Sequence, residues 1–178
     1  VEILEKGISI NKEIENIQKE AKLNTLLAEI LWKKGNYDKS LELSKIAKEL
    51  SEKSNDKKTY AESLNNIGIV YFDKGSYDEA LEYYKKSLSI KEEIVDKRVI
   101  ATSLIGIGNV YMGKGSYDEA IQYFKESLSI NEEIGNRSGI TSSLTNIGNV
   151  YNNKGSYDEA IQYLKESLSI NEEIGNRR

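Results

Sequence analysis

Residues 74–80 read Lys-Gly-Ser-Tyr-Asp-Glu-Ala, and the same seven residues recur at 114–120 and 154–160. A variant, Lys-Gly-Asn-Tyr-Asp-Lys-Ser, lies at 34–40. Successive copies are 40 residues apart, a period typical of stacked repeats. Glycine has no Cβ, so it readily adopts the left-handed conformation that ends a helix. Each copy therefore predicts a turn between two helices.

The sequence on both sides of each turn is amphipathic. In the second repeat, Leu64, Ile67 and Tyr71 recur at helical spacing and predict a first helix, called A. The helix after the turn, called B, has apolar residues such as Ile121 and Ile130 over a broad arc. This breadth predicts that each B helix packs between its own A helix and the next one.

The residue after each turn glycine is predicted to cap helix B. Ser76, Ser116 and Ser156 are each followed three residues later by Glu, which is the pattern of a capping box. In the first repeat, Asn36 keeps only the cap because Lys39 replaces the glutamate. We therefore expect the first B helix to begin less firmly.

This pattern resembles the tetratricopeptide repeat. The second repeat fills the family positions with Leu64, Ile67, Gly68, Tyr71, Ala80 and Tyr84. Leu stands where the family usually has Trp, and the usual closing Pro is absent. The 40-residue unit also resembles spindle-orientation adaptors of the LGN/Pins type and prokaryotic regulatory arrays. The resemblance implies an all-α fold, a right-handed superhelical solenoid of stacked antiparallel helix pairs.

We expect one array over residues 1–178. Residues 1–14 align with 121–134 and predict an orphan B helix, which brings the expected total to about nine helices. Four repeats then cover 15–54, 55–94, 95–134 and 135–178, and the last lacks a capping helix. Because the chain begins without Met, we expect it to be a piece of a longer protein.

The composition excludes several kinds of function. The chain has no Cys and no His, which removes thiolate metal sites and the usual neutral-pH base. A net charge of -4 argues against nucleic-acid binding. No apolar run reaches the roughly 20 residues of a membrane helix. We expect a non-catalytic cytoplasmic protein without a cofactor or metal, and without nucleic-acid or membrane partners.

The family resemblance implies that a peptide or helical segment of a protein partner lies along the inner surface, formed by the A helices. The first half of this groove is mostly apolar and includes Trp32, Ile69, Phe72 and Met112. The second half is rich in amides, which can bind a peptide main chain. The predicted amide positions are Asn66, Asn109, Asn146, Asn149 and Asn152. The alternative interpretation is that the apolar residues pack internally and the amides are merely solvated.

Acidic-tail capture, as in chaperone-binding members of the family, is not expected, because Glu62, Thr102 and Ser142 provide no cation at the matching positions. Two other functions stay open. The array could be a self-assembling scaffold, forming a homodimer through an uncovered C-terminal face predicted at Tyr163, Ile170 and Ile174. It could also be the sensor segment of a larger signalling protein.

Overall fold

Eight α-helices make up the described part of the chain. The computed structural model describes residues 2–90 and 96–175, with side chains from residue 14 onward. The helices are α1 Glu2–Lys33, α2 Tyr37–Lys53, α3 Lys57–Asp73, α4 Tyr77–Ser89, α5 Lys97–Gly113, α6 Tyr117–Glu133, α7 Arg137–Asn153 and α8 Tyr157–Gly175. Each helix packs against the next one in sequence, and α1, α3, α5 and α7 also pack in file. The predicted all-α solenoid is confirmed.

The predicted turns end the A helices as expected. In the second turn, the Gly75 amide donates to the Phe72 carbonyl and the Ser76 amide to the Tyr71 carbonyl, each over 2.9 Å. These bonds satisfy carbonyl groups that the helix end would leave free. The turn glycines share a left-handed backbone with φ between 76° and 78°: Gly35, Gly75, Gly115 and Gly155.

The capping boxes differ from the prediction. Neither Ser76 nor Ser116 forms a side-chain cap hydrogen bond, whereas Asn36 Oδ1 accepts from the Lys39 amide over 3.3 Å. The backbone is nearly the same at Asn36 and Ser76, with ψ of 71° and 70°. The backbone conformation at the cap therefore does not account for the difference. The capping-box prediction is wrong for Ser76 and Ser116.

The predicted orphan B helix is not a separate element. Val1 lies outside the described residues, and from Glu2 the helix α1 continues without a break to Lys33. The two other B-to-A joints that lie wholly within the described residues turn at a left-handed residue, Asn55 with φ 54° and Gly135 with φ 65°. Glu15 stands at that position in the first joint, and a glutamate disfavours this conformation. The break expected after residue 14 is wrong, and the described residues form eight helices rather than nine.

In the interior, small residues of A helices face large residues of B helices. A Cβ atom at Gly108 would lie 2.5 Å from Phe124 Cε1. The Phe124 ring is fully buried and packs in one cluster with Ile147 and Val150 of α7. Helix α6 therefore lies between α5 and α7, as the breadth of its apolar arc predicts.

Stacked tyrosines join the two helices of each of the last three repeats. The ring centroids are 5.4–5.5 Å apart and the ring planes 7–11° from parallel. Such offset stacks add to the stabilisation from burial. The pairs are Tyr71 with Tyr83, Tyr111 with Tyr123, and Tyr151 with Tyr163. These stacks account for six of the 12 tyrosines as packing residues.

The uncovered face of α8 differs from the one predicted. Tyr163 stacks on Tyr151, and Ile170 and Ile174 are half-buried. The exposed apolar stripe consists instead of Tyr157, Ile161, Leu164 and Leu168. These are the positions at which α6 contacts the following A helix, so the stripe facing the next repeat is the uncovered one. The prediction that Tyr163, Ile170 and Ile174 lie uncovered is wrong.

Candidate functional site

The A helices form one continuous surface. Each contacts the A helix of the next repeat directly, α1 on α3, α3 on α5 and α5 on α7. The B helices lie behind them and pack between consecutive A helices. The predicted site residues on α1, α3, α5 and α7 therefore follow one another along the same side of the array, and we call this side the inner surface.

A hollow of about 420 Å³ lies at the N-terminal half of the inner surface. It is formed by α1, α3 and the start of α5. Of the predicted residues, it brings together Trp32, Asn66 and Ile69. Leu26 of α1 joins them and is strongly exposed. The hollow thus offers apolar contact area to a side chain of a ligand.

The wall of this hollow is more charged than the sequence predicts. Lys58, Glu62, Asp96 and Arg98 all line it. Lys58 forms an ion pair with Asp96 and lies 4.0 Å from Glu62. Among the described residues, the Arg98 guanidinium forms no ion pair. Lys58 and Arg98 thus bring cations to this part of the groove from the helix starts, at positions other than Glu62 and Thr102.

The charges in the hollow shift one another's pKa values. Burial raises the pKa of Glu62, and the carboxylates of Asp96 and Asp56 raise it further while Lys58 lowers it. The hydrogen bond from Lys58 is the largest cause of the lowered pKa of Asp96. The hollow therefore holds a firmly ionised carboxylate, Asp96, beside a less readily ionised one, Glu62.

The large apolar residues of the first half are only half exposed. Trp32 Nε1–H donates a hydrogen bond to the Asp73 carboxylate and so ties α1 to the end of α3. Phe72 packs its ring against Tyr77, with the centroids 5.6 Å apart. Ile69 and Phe72 border one buried core cluster, and Met112 borders another. These side chains therefore pack partly against the interior of the protein, as the alternative interpretation of the apolar residues expected.

The predicted amides divide into two groups. Asn66 Nδ2 donates to the Thr25 carbonyl over 3.0 Å, so this amide links α3 to α1. The others form no hydrogen bond with any residue of the described ranges, and Asn149 and Asn152 are exposed. Asn146 also lines a second, shallow hollow with Thr145. The unbonded amides are Asn109, Asn146, Asn149 and Asn152.

One aromatic ring interrupts the row of amides. At Gly106 an added Cβ would collide with the ring of Tyr84, which is inserted from α4 and also touches Gly68. Asn66 and Asn146 occupy the corresponding positions in the neighbouring repeats. Glycine is therefore required at Gly106 for close approach of this ring. Sequence periodicity alone could not reveal the insertion.

The described residues show neither a membrane span nor a metal cluster. No helix in ranges 2–90 and 96–175 combines the length and the apolar character needed to cross a bilayer. The same ranges contain no group of three or more acidic residues arranged to hold a metal ion. The arrangement on the inner surface is suited to contact and hydrogen bonding.

Comparison with known proteins identifies the repeat. The family model described as Tetratricopeptide repeat matches residues 19–93 and 99–173. No curated protein sequence matches this chain.

Solved structures resemble the fold at low sequence identity. A Rap protein complexed with Competence and Sporulation Factor is 19% identical, with a TM-score of 0.80 over 89% of this chain and 43% of the other. Aspartyl phosphate phosphatase F from Bacillus subtilis is 18% identical, with a TM-score of 0.79 over 89% and 42%. The Rap conjugation regulator of plasmid pLS20, in complex with the Phr* peptide, is 21% identical, with a TM-score of 0.73 over 89% and 44%. The chain spans less than half the length of these three proteins.

Proposed function

This chain belongs to the tetratricopeptide repeat family, and we propose that it is an interaction module that binds a peptide or helical segment of a partner protein on its inner surface. The partner is bound by the row of A helices, with apolar contacts at the N-terminal half and main-chain hydrogen bonds at the C-terminal half. The LGN/Pins-like subtype expected from the repeat length is part of the proposal.

The unbonded amides carry this proposal. Asn109 and Asn149 occupy the same position of successive repeats, and neither is committed to a partner within the described residues. An asparagine side chain donates and accepts, as a peptide group does, so such a row can bind a main chain with little regard to side-chain identity. An intramolecular role would have engaged these amides, as it engages Asn66.

The hollow at the N-terminal half supplies the second element of recognition. Trp32 and Leu26 offer apolar area, and Arg98 offers a charge without an ion-pair partner in the described ranges. Aromatic residues and arginine are frequent anchors in interfaces. Two structural neighbours are complexes, one with Competence and Sporulation Factor and one with the Phr* peptide, which supports the same use of the fold.

The proposal includes a non-catalytic role without a cofactor. The absence of His and Cys from the sequence supports it. The interaction is expected in the cytoplasm, with neither nucleic acid nor membrane as the ligand. If the chain is a sensor segment of a larger signalling protein, the same inner surface would receive the signal.

A peptide selected against the chain from a random display library tests this proposal. Replacing both Asn109 and Asn149 with Ala should weaken its affinity about thirtyfold, since each lost hydrogen bond costs on the order of 1 kcal/mol. Isothermal titration calorimetry measures the effect. Gln162→Ala removes an exposed amide from α8 and should leave the affinity unchanged. Equal affinity of the double variant and the original chain would contradict the proposal.

Self-assembly is a second candidate function, favoured by the exposed stripe on α8. Tyr157, Ile161, Leu164 and Leu168 form an apolar face of the kind that usually marks an interaction surface. In this case the 178-residue chain would form a homodimer through α8. Light scattering at increasing concentration tests it: Ile161→Lys should abolish the dimer, and a dimer unaffected by this change would exclude α8 as the contact.

A further inference from the structure

Helix α1 carries an apolar face that no described helix covers. Leu23, Leu27 and Ile30 lie at helical spacing and are 66%, 42% and 49% exposed. The fully buried Ala28 packs toward α2, whose Ser40 hydroxyl donates to the Ala28 carbonyl over 2.8 Å. Residues 28 and 30 are about 200° apart around a helix. The exposed face is therefore opposite to the one that packs in the first repeat.

In the other repeats the same positions are buried by the preceding B helix. The residues matching Leu27 and Ile30 in the last repeat are Ile147 and Val150, both 0% exposed. They share one buried cluster with Ile121 and Phe124 of α6. The exposed face of α1 therefore lacks one particular kind of neighbour, which is a helix of the B type.

The first 14 residues have the sequence of such a helix. Val1, Leu4 and Ile8 stand where α6 has Ile121, Phe124 and Leu128. The match also extends to the sizes of the side chains at two facing positions. The Ser127 and Ser143 hydroxyls are hydrogen-bonded over 3.2 Å between α6 and α7, and these two positions become Gly7 and Leu23 three repeats earlier. A smaller residue on one side thus accompanies a larger one on the other, which suits the segment to the α1 face.

The backbone keeps this segment away from the face on its own chain. Because α1 is continuous, residues 4 and 27 are separated along the helix axis by about 35 Å at 1.5 Å per residue. At two joints that do fold back, the corresponding residue is left-handed, Asn55 with φ 54° and Gly135 with φ 65°, whereas α1 has Glu15 there. In the continuous helix α1, the segment and the face to which it is suited therefore do not meet within one chain.

We propose that two copies of the chain exchange their N-terminal segments. The two α1 helices lie antiparallel, so residue 4 of each copy is beside Leu27 of the other. The same register places residue 8 beside Leu23. Both pairs share one midpoint between Glu15 and Asn16, as a two-fold axis requires. The dimer thus contains two symmetry-related contacts, and each repeats the contact observed between α6 and α7.

Light scattering during size-exclusion chromatography tests the exchange. The 178-residue chain should have twice its 20.1 kDa mass, and Leu27→Lys should reduce it to a monomer. Glu15→Gly should also give a monomer, because glycine permits the turn and the segment can then fold back on its own chain. Glu20→Gly is the matched control, with a glycine at an exposed position of α1 that is not at the joint, and it should stay dimeric.

Disulfide trapping distinguishes the exchange from other dimers. The chain has no Cys, so Leu4→Cys with Leu27→Cys introduces a single pair of thiols per copy. Oxidation should link two copies covalently, whereas in the Glu15→Gly background the same pair should close within one chain. A monomeric wild-type chain at all concentrations would overturn the proposal. So would a dimer that responds alike to Glu15→Gly and Glu20→Gly, or one in which the thiols do not link.

Discussion

Residues 115–134 and 155–174 have the same sequence except at one position, yet their apolar residues differ in exposure. Ile121 is 9% exposed on α6, whereas Ile161, its counterpart on α8, is 49% exposed. Phe124 is fully buried and Leu164 is 37% exposed. The difference arises because α7 covers α6, and no helix within the described residues covers the same stripe of α8. The contribution of a residue thus depends on its place in the stack as well as on its type.

The largest expected effect comes from removing the core residue at the one differing position. Phe124→Ala should reduce the free energy of unfolding by about 3–5 kcal/mol, because a fully buried ring is lost. Leu164→Ala should cost about 1 kcal/mol, since much of the side chain is already in solvent. Urea unfolding followed by circular dichroism measures both. Equal losses would contradict the comparison.

A smaller effect is expected from the glycines that face these two residues. Gly108→Ala should destabilise the protein by about 1–3 kcal/mol, because the new Cβ would lie 2.5 Å from the enclosed Phe124 ring. Gly148→Ala should destabilise the protein less. Its Cβ would lie 2.8 Å from Leu164 Cγ and 3.3 Å from the Ala160 carbonyl oxygen, but the partly exposed Leu164 side chain can shift towards solvent, and alanine favours the helix. Thermal unfolding of the two variants compares them, and a larger loss at Gly148 would reverse the prediction.

The smallest expected effect concerns a surface ion pair. Asp118 pairs with Lys154 over 2.5 Å, whereas Asp158 forms no ion pair among the described residues. Both lie in the first turn of a helix, so each replacement with Asn loses the same helix-dipole interaction. Asp118→Asn should lower the melting temperature more than Asp158→Asn, by about 1 °C. The difference should disappear in 1 M salt, where exposed charges are screened at about 3 Å. A difference that persists in salt would point to a cause other than the ion pair.

The repeat itself could be predicted from the sequence because its turns impose strict local requirements. Gly75 needs φ near 76°, which few other residues adopt, and the amphipathic flanks then determine two helices. The tyrosine positions also follow from periodicity, and Tyr111 does stack on Tyr123. Features set by one residue and its near neighbours could therefore be predicted from the sequence.

Features that depend on contacts between repeats could not be predicted from the sequence. Asn66 donates to Thr25, and Trp32 to Asp73, both 41 residues apart in sequence. Lys58 reaches the inner surface from the start of α3. Helical periodicity gives the face of a residue but not the distance between neighbouring helices. The continuity of α1 does not follow from the repeat pattern for a different reason: residues 1–14 match a B helix, but Glu15 stands where the last joint has Gly135.

The free amides of the inner surface remain the centre of the functional proposal. The most direct measurement is a nuclear magnetic resonance titration that follows the side-chain NH₂ signals of assigned asparagines while a library-selected peptide is added. The Asn109 and Asn149 signals should shift on saturation, while those of Gln162 on α8 and of Asn66, already bonded to Thr25, should stay in place. Binding of the peptide with no shift at Asn109 or Asn149 would contradict recognition by the inner surface.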